Sequence, residues 1–279
     1  MAEPILPVAQ WVNELAHHLL GQGTPSLDSI GQGLSALAEV VQRLLTSLPP
    51  AVSVAVFAIL GLWRSGWRLG VFAALALLTI HGMGFGDQLM VTLAQIITAT
   101  LIAILIGVPL GIWLGGRPLA TRVVRPLLDL MQTMPAFVYL IPATMLFGLG
   151  LAPALLATVI FSLPPVVRLT TMGIHQVERE VVEAATCLGA TPQQSLLLVK
   201  LPYAMPAIMA GVSQTIMMAL SMVIIASMVG AGGLGNEVLS AIQRLDIGQG
   251  LASGLSVVLL AMVVDRLTES FAPKTPVVR

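Results

Sequence analysis

Residues 183–202 read EAATCLGATPQQSLLLVKLP, from Glu183 to Pro202. The stretch is a polar island between two long uncharged segments, Leu130 to Val167 before it and Ala204 to Val229 after it. A helix leads into it from Gly173, made polar by Glu178, Arg179, Glu180 and Glu183, and is expected to run to Leu188. There the chain must turn, and Gly189 supplies a residue that tolerates positive φ at a helix C-terminus. Thr191, Pro192 and Gln194 then have the order of an N-cap, a first-turn proline and a capping-box partner. They predict a short second helix, about Pro192 to Val199, closed by Leu201 and Pro202. The small residues Ala184, Ala185 and Ala190 leave a flat face that another protein can approach closely, and Glu183 is placed to pair with a cation or cap nearby donors. An ordinary interfacial helix pair is the plain alternative. A rigid knob projecting from a membrane is the reading favoured by the flanking segments.

Composition supports a bilayer independently. The chain of 279 residues is 57% apolar and 9% charged with a mean hydropathy of +0.95. Soluble domains run near 45–50% apolar and about 25% charged, so a soluble enzyme is disfavoured. Formal net charge is zero, and no basic run interleaved with aromatics suggests a nucleic-acid partner. A single cysteine, Cys187, rules out an intrachain disulfide framework and a multi-cysteine metal site, and reads as a small packing residue on the helix that enters the polar island.

About 20 residues of helix cross the hydrocarbon core. Charge-free length then gives an all-α integral membrane protein with seven spans. Leu45–Trp63 and Leu69–Phe85 are the weaker ones, and Leu89–Gly116 is one long crossing. Leu130–Val167 is too long for one crossing and must turn where Gly148, Gly150 and Pro153 cluster. Ala204–Val229 and Ile247–Val264 complete the set. With the polar island inside, Arg64, Arg68, Arg117, Arg122, Arg125, Arg168, Arg179, Lys200, Arg266, Lys274 and Arg279 fall on the cytoplasmic side, leaving only Arg43 and Arg244 outside. This positive-inside bias puts the N-terminus outside and the C-terminus inside.

Residues 1–47 read as an external tail. Met1 to Leu20 lacks a basic start and a small-residue cleavage site, so it is not read as a signal peptide. Leu34, Leu37, Val41, Leu44 and Leu48 form an apolar stripe on a helix whose other face carries Gln32, Ser35, Glu39 and Gln42. Such a stripe lies on a membrane surface or packs on neighbouring spans. The rest divides into two N-terminal spans (48–86), a transmembrane core (87–270) with the polar loop at about 173–202, and an inner tail (271–279).

Several catalytic patterns can be set aside. Gly230, Gly232 and Gly235 match the outline of a dinucleotide fingerprint, but the preceding run is a membrane span rather than a strand, and a tight outer turn fits better. Neither Lys200 nor Lys274 stands in a P-loop, so the chain is not expected to bind ATP in that way. His17 and His18 are adjacent and cannot share a helix face as ligands, while His81 and His175 fall on opposite membrane sides. No metal site and no catalytic residue is expected, and the chain is not read as an enzyme.

For a solute pathway the sequence offers one helix face and one kink. Gln214, Met217, Ser221 and Met228 recur at steps of three, four and seven, and polar atoms inside a bilayer face a cavity or another helix. The methionine-rich character of this span suits repacking between two conformations. Pro135 and Pro142, with Gln132 and Tyr139 around them, mark a kinked span that is a candidate gate.

The island's spacing, Glu183-Ala184-Ala185, then Gly189, then Val199, Leu201 and Pro202, resembles the docking loop of ATP-binding-cassette importer permeases, with Val199 in an Ile position. The wider stretches RPLLDLMQTMPAFVYLIPATMLFGLG (125–150), FSLPPVVRLT (161–170), MPAIMAGVSQTIMMALSMVIIASMVGAGGLG (205–235) and RLDIG (244–248) are similar to the permease subunit of glycine betaine/proline importers, over about two thirds of the chain. The resemblance implies the type I importer fold and alternating access by two permease copies. It implies a separate ATPase that binds ATP and Mg, a separate external binding protein with an aromatic cage, and cargo such as glycine betaine, choline, carnitine or proline betaine. It also makes Glu183, Ala184, Ala185, Gly189, Ala190, Leu201 and Pro202 the ATPase-coupling residues. A methionine-type cargo within the same class, a secondary transporter and a structural scaffold are the alternatives. No internal repeat or midplane ionisable site supports the secondary transporter.

Overall fold

The computed structural model describes residue 14 and residues 25–271. The Met1–Leu20 stretch apart from residue 14, the His17–His18 pair, and residues 272–279 of the inner tail lie outside the described residues.

Among the described residues the chain is a succession of helices without strands. They are α1 (Pro25–Thr46), α2 (Pro50–Ser65), α3 (Trp67–Gly82), α4 (Gly86–Gly115), α5 (Pro118–Thr133), α6 (Ala136–Phe147), α7 (Leu151–His175), α8 (Arg179–Cys187), α9 (Pro192–Val229), α10 (Leu234–Arg244) and α11 (Ile247–Phe271). Helices α4, α7, α9 and α11 are each long and apolar enough to cross a membrane. Two bent pairs pass the same test jointly: Gly31–Thr46 with α2 at 98°, and α5 with α6 at 96°. The span expected at Leu45–Trp63 is shifted, because Pro49 and Pro50 end the preceding helix and start α2 as N-cap and first residue. Helix α3, expected at Leu69–Phe85, has 16 residues. At 1.5 Å per residue it is about 24 Å long.

Helix α7 is the spine, packed along both α4 and α9. Lipid tails are as apolar as leucine, so membrane helices associate through close packing rather than through exclusion of water. Accordingly Gly107, Gly111 and Gly115 line one side of α4 against Val166, Thr170 and Ile174 of α7. A Cβ at Gly111 would sit 2.6 Å from the Thr170 Cβ and 2.9 Å from the Val167 carbonyl oxygen. A larger apolar cluster joins α3, α4, α9, α10 and α11 through Ile80, Leu89, Ile96, Leu220, Leu234 and Leu260.

Helix α1 is part of this bundle. It packs on α4 and α7, with Ala38 buried among Ala99, Leu155 and Val159. The inward face runs through Gly31 and Ala38, offset from the leucine stripe, and Leu37, Leu44 and Leu48 remain exposed. Small residues permit close helix approach, so leucines are left for the apolar surroundings.

The Leu130–Val167 segment turns at two places. Gly148 (φ 73°) and Gly150 (φ 132°) make the expected outer turn. The second break is at Met134, which is extended (φ −69°, ψ 134°) because the Pro135 ring disfavours helical geometry in the residue before it. Pro142 lies inside α6 without ending it.

Candidate functional site

The polar segment expected to project from the membrane begins where α7 ends at His175. Residues 176–178 interrupt it and α8 starts at Arg179, so the continuous Gly173–Leu188 helix expected from sequence is two helices. No residue of α8 is buried, hence packing does not hold it in line with α7, and it folds against the Ser195–Lys200 root of α9. Its C-terminus has both bonds of a Schellman turn: Ala190 N–H donates to the Ala185 carbonyl (3.0 Å) and Gly189 N–H to that of Thr186 (2.9 Å). Gly189 supplies the left-handed residue at φ 85°. The next two bonds complete a capping box. Thr191 N–H donates to Gln194 Oε1 (2.8 Å), and Gln194 N–H donates to Thr191 Oγ1 (3.3 Å).

The helix that starts here does not stop at Leu201 and Pro202 as expected. It passes through a π-helical stretch, Ser195–Lys200, into Leu201–Ala226. Leu201 N–H bonds the Leu196 carbonyl, five residues back. Proline has no N–H to donate and its ring crowds the carbonyl four residues earlier, so the wider turn lets Pro202 enter a continuing helix. Leu201 and Leu196 pack beside Ile174, Ala204 and Ile208, tying the inner ends of α7 and α9 together.

On the exposed side Arg179 Nε donates to Glu183 Oε1 at 2.6 Å, one helical turn apart. Ala184 and Gly189 are exposed, and Ala185 and Ala190 half-buried. Cys187 is exposed and free, not the packing residue expected, since nothing covers that side of α8. The sequence reading passed over Leu188 (89% exposed), Leu198 (73%) and Leu197 (60%). They occupy unspecified positions of the motif; their apolar character on an otherwise polar island was the available signal.

Of the residues expected on the pathway, Gln214 and Ser221 are exposed and Met217 is half-buried along α9. Ala210 and Met228 are exposed on the same helix face. Pro135 is exposed at the α5–α6 elbow and Gln132 half-buried. Tyr139 is buried instead, edge-on to Phe161 at 5.8 Å, and its hydroxyl donates to the Met131 carbonyl across the elbow. That group braces the bend.

At the outer end Gly230 (φ 90°) and Gly232 (φ 77°) make the expected turn, while Gly235 lies in α10. Two buried polar residues of α4 fasten it. Thr92 Oγ1 accepts from Leu234 N–H (2.8 Å), and Gln95 Nε2 donates to the Ala231 carbonyl (2.6 Å).

A helical membrane bundle whose sequence-motif residues converge on a doubly capped, partly apolar knob has the architecture of a transport permease. Residues 107–276 match the family model of the binding-protein-dependent transport system inner membrane component. The glycine betaine/proline betaine transport system permease protein ProW of Escherichia coli (strain K12) is 46% identical, over 95% of this chain and 75% of ProW. The glycine betaine/carnitine transport permease protein GbuB of Listeria monocytogenes is 42% identical over 97% of both chains. The glycine betaine transport system permease protein OpuAB of Bacillus subtilis is 40% identical, over 97% of this chain and 96% of OpuAB. A solved inward-facing structure of the MetNI methionine ABC transporter has a chain of the same fold, with TM-score 0.58 and 23% identity over 64% of this chain and 90% of that one. The chain belongs to the family of inner-membrane permease components of binding-protein-dependent ABC importers.

Proposed function

We propose that this permease carries glycine betaine or a related quaternary ammonium solute, such as choline, carnitine or proline betaine, into the cell. The observation that carries the reading is the 40–46% identity, along nearly the whole chain, to permeases named for glycine betaine. A trimethylammonium group neither donates nor accepts a hydrogen bond, so its recognition falls to cation–π attraction in a separate external binding protein. The permease then needs a route rather than a tight site. Gln132 and Pro135 at the elbow and Gln214, Met217 and Ser221 on α9 line that route, which two copies of the chain complete.

The chain contributes no catalytic group and no cofactor; ATP and Mg are bound by a partner ATPase. That partner seats on Glu183, Ala184, Ala185, Gly189 and Ala190, while Leu201 and Pro202 stiffen the root of α9 behind them. The capped turn suits the task, since both backbone ends at 189–191 are bonded and the knob moves as a unit. ATP has to favour one orientation of the pathway over the other, or closure of the ATPase would shift nothing. Proteoliposomes containing the permease, its ATPase and the binding protein, supplied with labelled glycine betaine, choline, carnitine, proline and methionine, test the assignment. ATP-dependent uptake of a quaternary amine is expected, and uptake of methionine alone would overturn it.

A further inference from the structure

Among the described residues four ion pairs occur, and three of them join groups three or four residues apart on one helix. The fourth, Arg168 with Asp129, joins α7 to α5 across 39 positions of sequence. Its location is informative. Arg168 lies seven residues before His175, about 10 Å back from the inner end of α7 at 1.5 Å per residue. Both side chains are nevertheless partly open, 40% for Arg168 and 52% for Asp129. Charges at such depth face a water-filled space rather than lipid. A solvated pair of this kind adds little to stability, so strengthening the fold is a poor explanation for it.

What the pair connects suggests its use. Helix α7 runs into the docking segment within three residues. Helix α5 is jointed at Pro135 to α6, where Tyr139 braces the bend, and is held on α4 and α7 by an apolar cluster of Ala120, Val124, Leu128 and Met131 with Leu114 and Val167 and by the Thr121 hydroxyl on the Leu114 carbonyl; the ion pair is its charged link to α7. Beside the pair is a cavity of about 240 Å³ lined by Arg125, Arg168 and His175 with Thr121 and Thr171. Arg168 Nε is buried there without a hydrogen-bond partner. Of the three basic side chains on this cavity, Arg168 is the one that an ion pair with Asp129 engages.

We propose that Arg168 and Asp129 are a positioning pair that makes the α5–α6 elbow follow α7 when the docking segment is driven. The proposal rests on the reading of that segment as the ATPase seat. Motion imposed at α8 passes to the root of α9 on which it packs, enters α7 through the contact of Leu196 and Leu201 with Ile174, crosses to α5 through the ion pair, and reaches the elbow that carries Gln132 and Pro135. The link is polar and open to water, so it transmits displacement without welding the two helices into one rigid body.

The test uses the assembled complex in proteoliposomes. Asp129→Arg and Arg168→Asp are made singly and together, with the pair Asp129→Asn/Arg168→Gln as a variant that removes both charges and keeps polar side chains. Uptake per ATP hydrolysed is measured, and nitroxide labels on Leu119→Cys and Trp67→Cys, in a Cys187→Ser background, report movement of α5 whatever the cargo. The single variants and the uncharged pair are expected to keep ATP hydrolysis while uptake per ATP falls about ten-fold, within the usual range of a coupling factor. Their ATP-dependent change in label distance disappears, and the charge-exchanged double variant regains both. Three results would each overturn the proposal: an α5 that does not move with nucleotide in the parent, an uncharged pair that couples like the parent, or an exchanged pair that restores neither readout. Absence of quaternary-amine uptake by the parent, with the label change intact, would instead count against the cargo.

Discussion

Gly189 allows the strain of the docking turn to be separated from its contact with a partner. Its φ is 85°, and a Cβ built on it meets no heavy atom within 4 Å. Gly189→Ala therefore adds no clash inside the chain, only the cost of placing an L-residue in left-handed geometry, about 1–2 kcal/mol. A change of that size lowers the population of the native turn roughly 5–30-fold against competing conformations. Asparagine and aspartate tolerate this region better than alanine, so strain alone ranks alanine as the most damaging of the three. Contact predicts the reverse order, because the longer polar side chains project outward into the surface that the ATPase would occupy. The assay is uptake per ATP hydrolysed in proteoliposomes, alongside retention of the ATPase by the purified permease. Gly189→Asp is expected to abolish uptake and weaken ATPase retention with membrane insertion intact, and Gly189→Ala to lose less. If the loss followed strain, with alanine worse than aspartate, the turn would matter for its shape and the docking role of Gly189 would be refuted.

Two further measurements probe orientation and the outer end. Cys187 is exposed and is the chain's single cysteine, so a membrane-impermeant maleimide should label inside-out vesicles and spare right-side-out ones, with protection when the ATPase is bound. Labelling from outside would invert the topology. Thr92→Val keeps the shape of the side chain but strips the acceptor from the buried Leu234 N–H, which should cost about 1–3 kcal/mol in thermal unfolding of the purified permease. Thr92→Ser retains the acceptor and should lose much less; a valine variant as stable as the parent would mean that the glycine turn is held by other contacts.

The capped turn at Gly189 to Gln194 was legible because its chemistry is local. A left-handed glycine and a capping box each involve residues within a few positions of one another, and Gly189, Thr191 and Gln194 occupy those roles in the structure. The elbow at Pro135 was legible for the same reason. Pro202 was misread, since a proline commonly ends a helix and nothing in the sequence announces the wider turn that accommodates it. The break before α8 was missed because a polar helix leaving a bilayer has no packing constraint that a sequence pattern would record. Thr92 with Leu234 and Arg168 with Asp129 were invisible for another reason: their partners stand 142 and 39 positions away, and periodicity says nothing about such meetings. The face of α1 was offset because small residues, not leucines, decide which side approaches a neighbour within lipid.

Continuity through the π-helical stretch makes α9 an unbroken shaft of 38 residues from the capped turn to the outer glycines. At 1.5 Å per residue that is about 57 Å, so a tilt of about 5° at one tip sweeps the other through roughly 5 Å. The opposite tip is clasped to the neighbouring hairpin, where Gly150 N–H donates to the Val229 carbonyl at 2.8 Å. Pivoting about that clasp, a tilt of about 5° carries the capped turn through roughly 5 Å while the outer end stays in place.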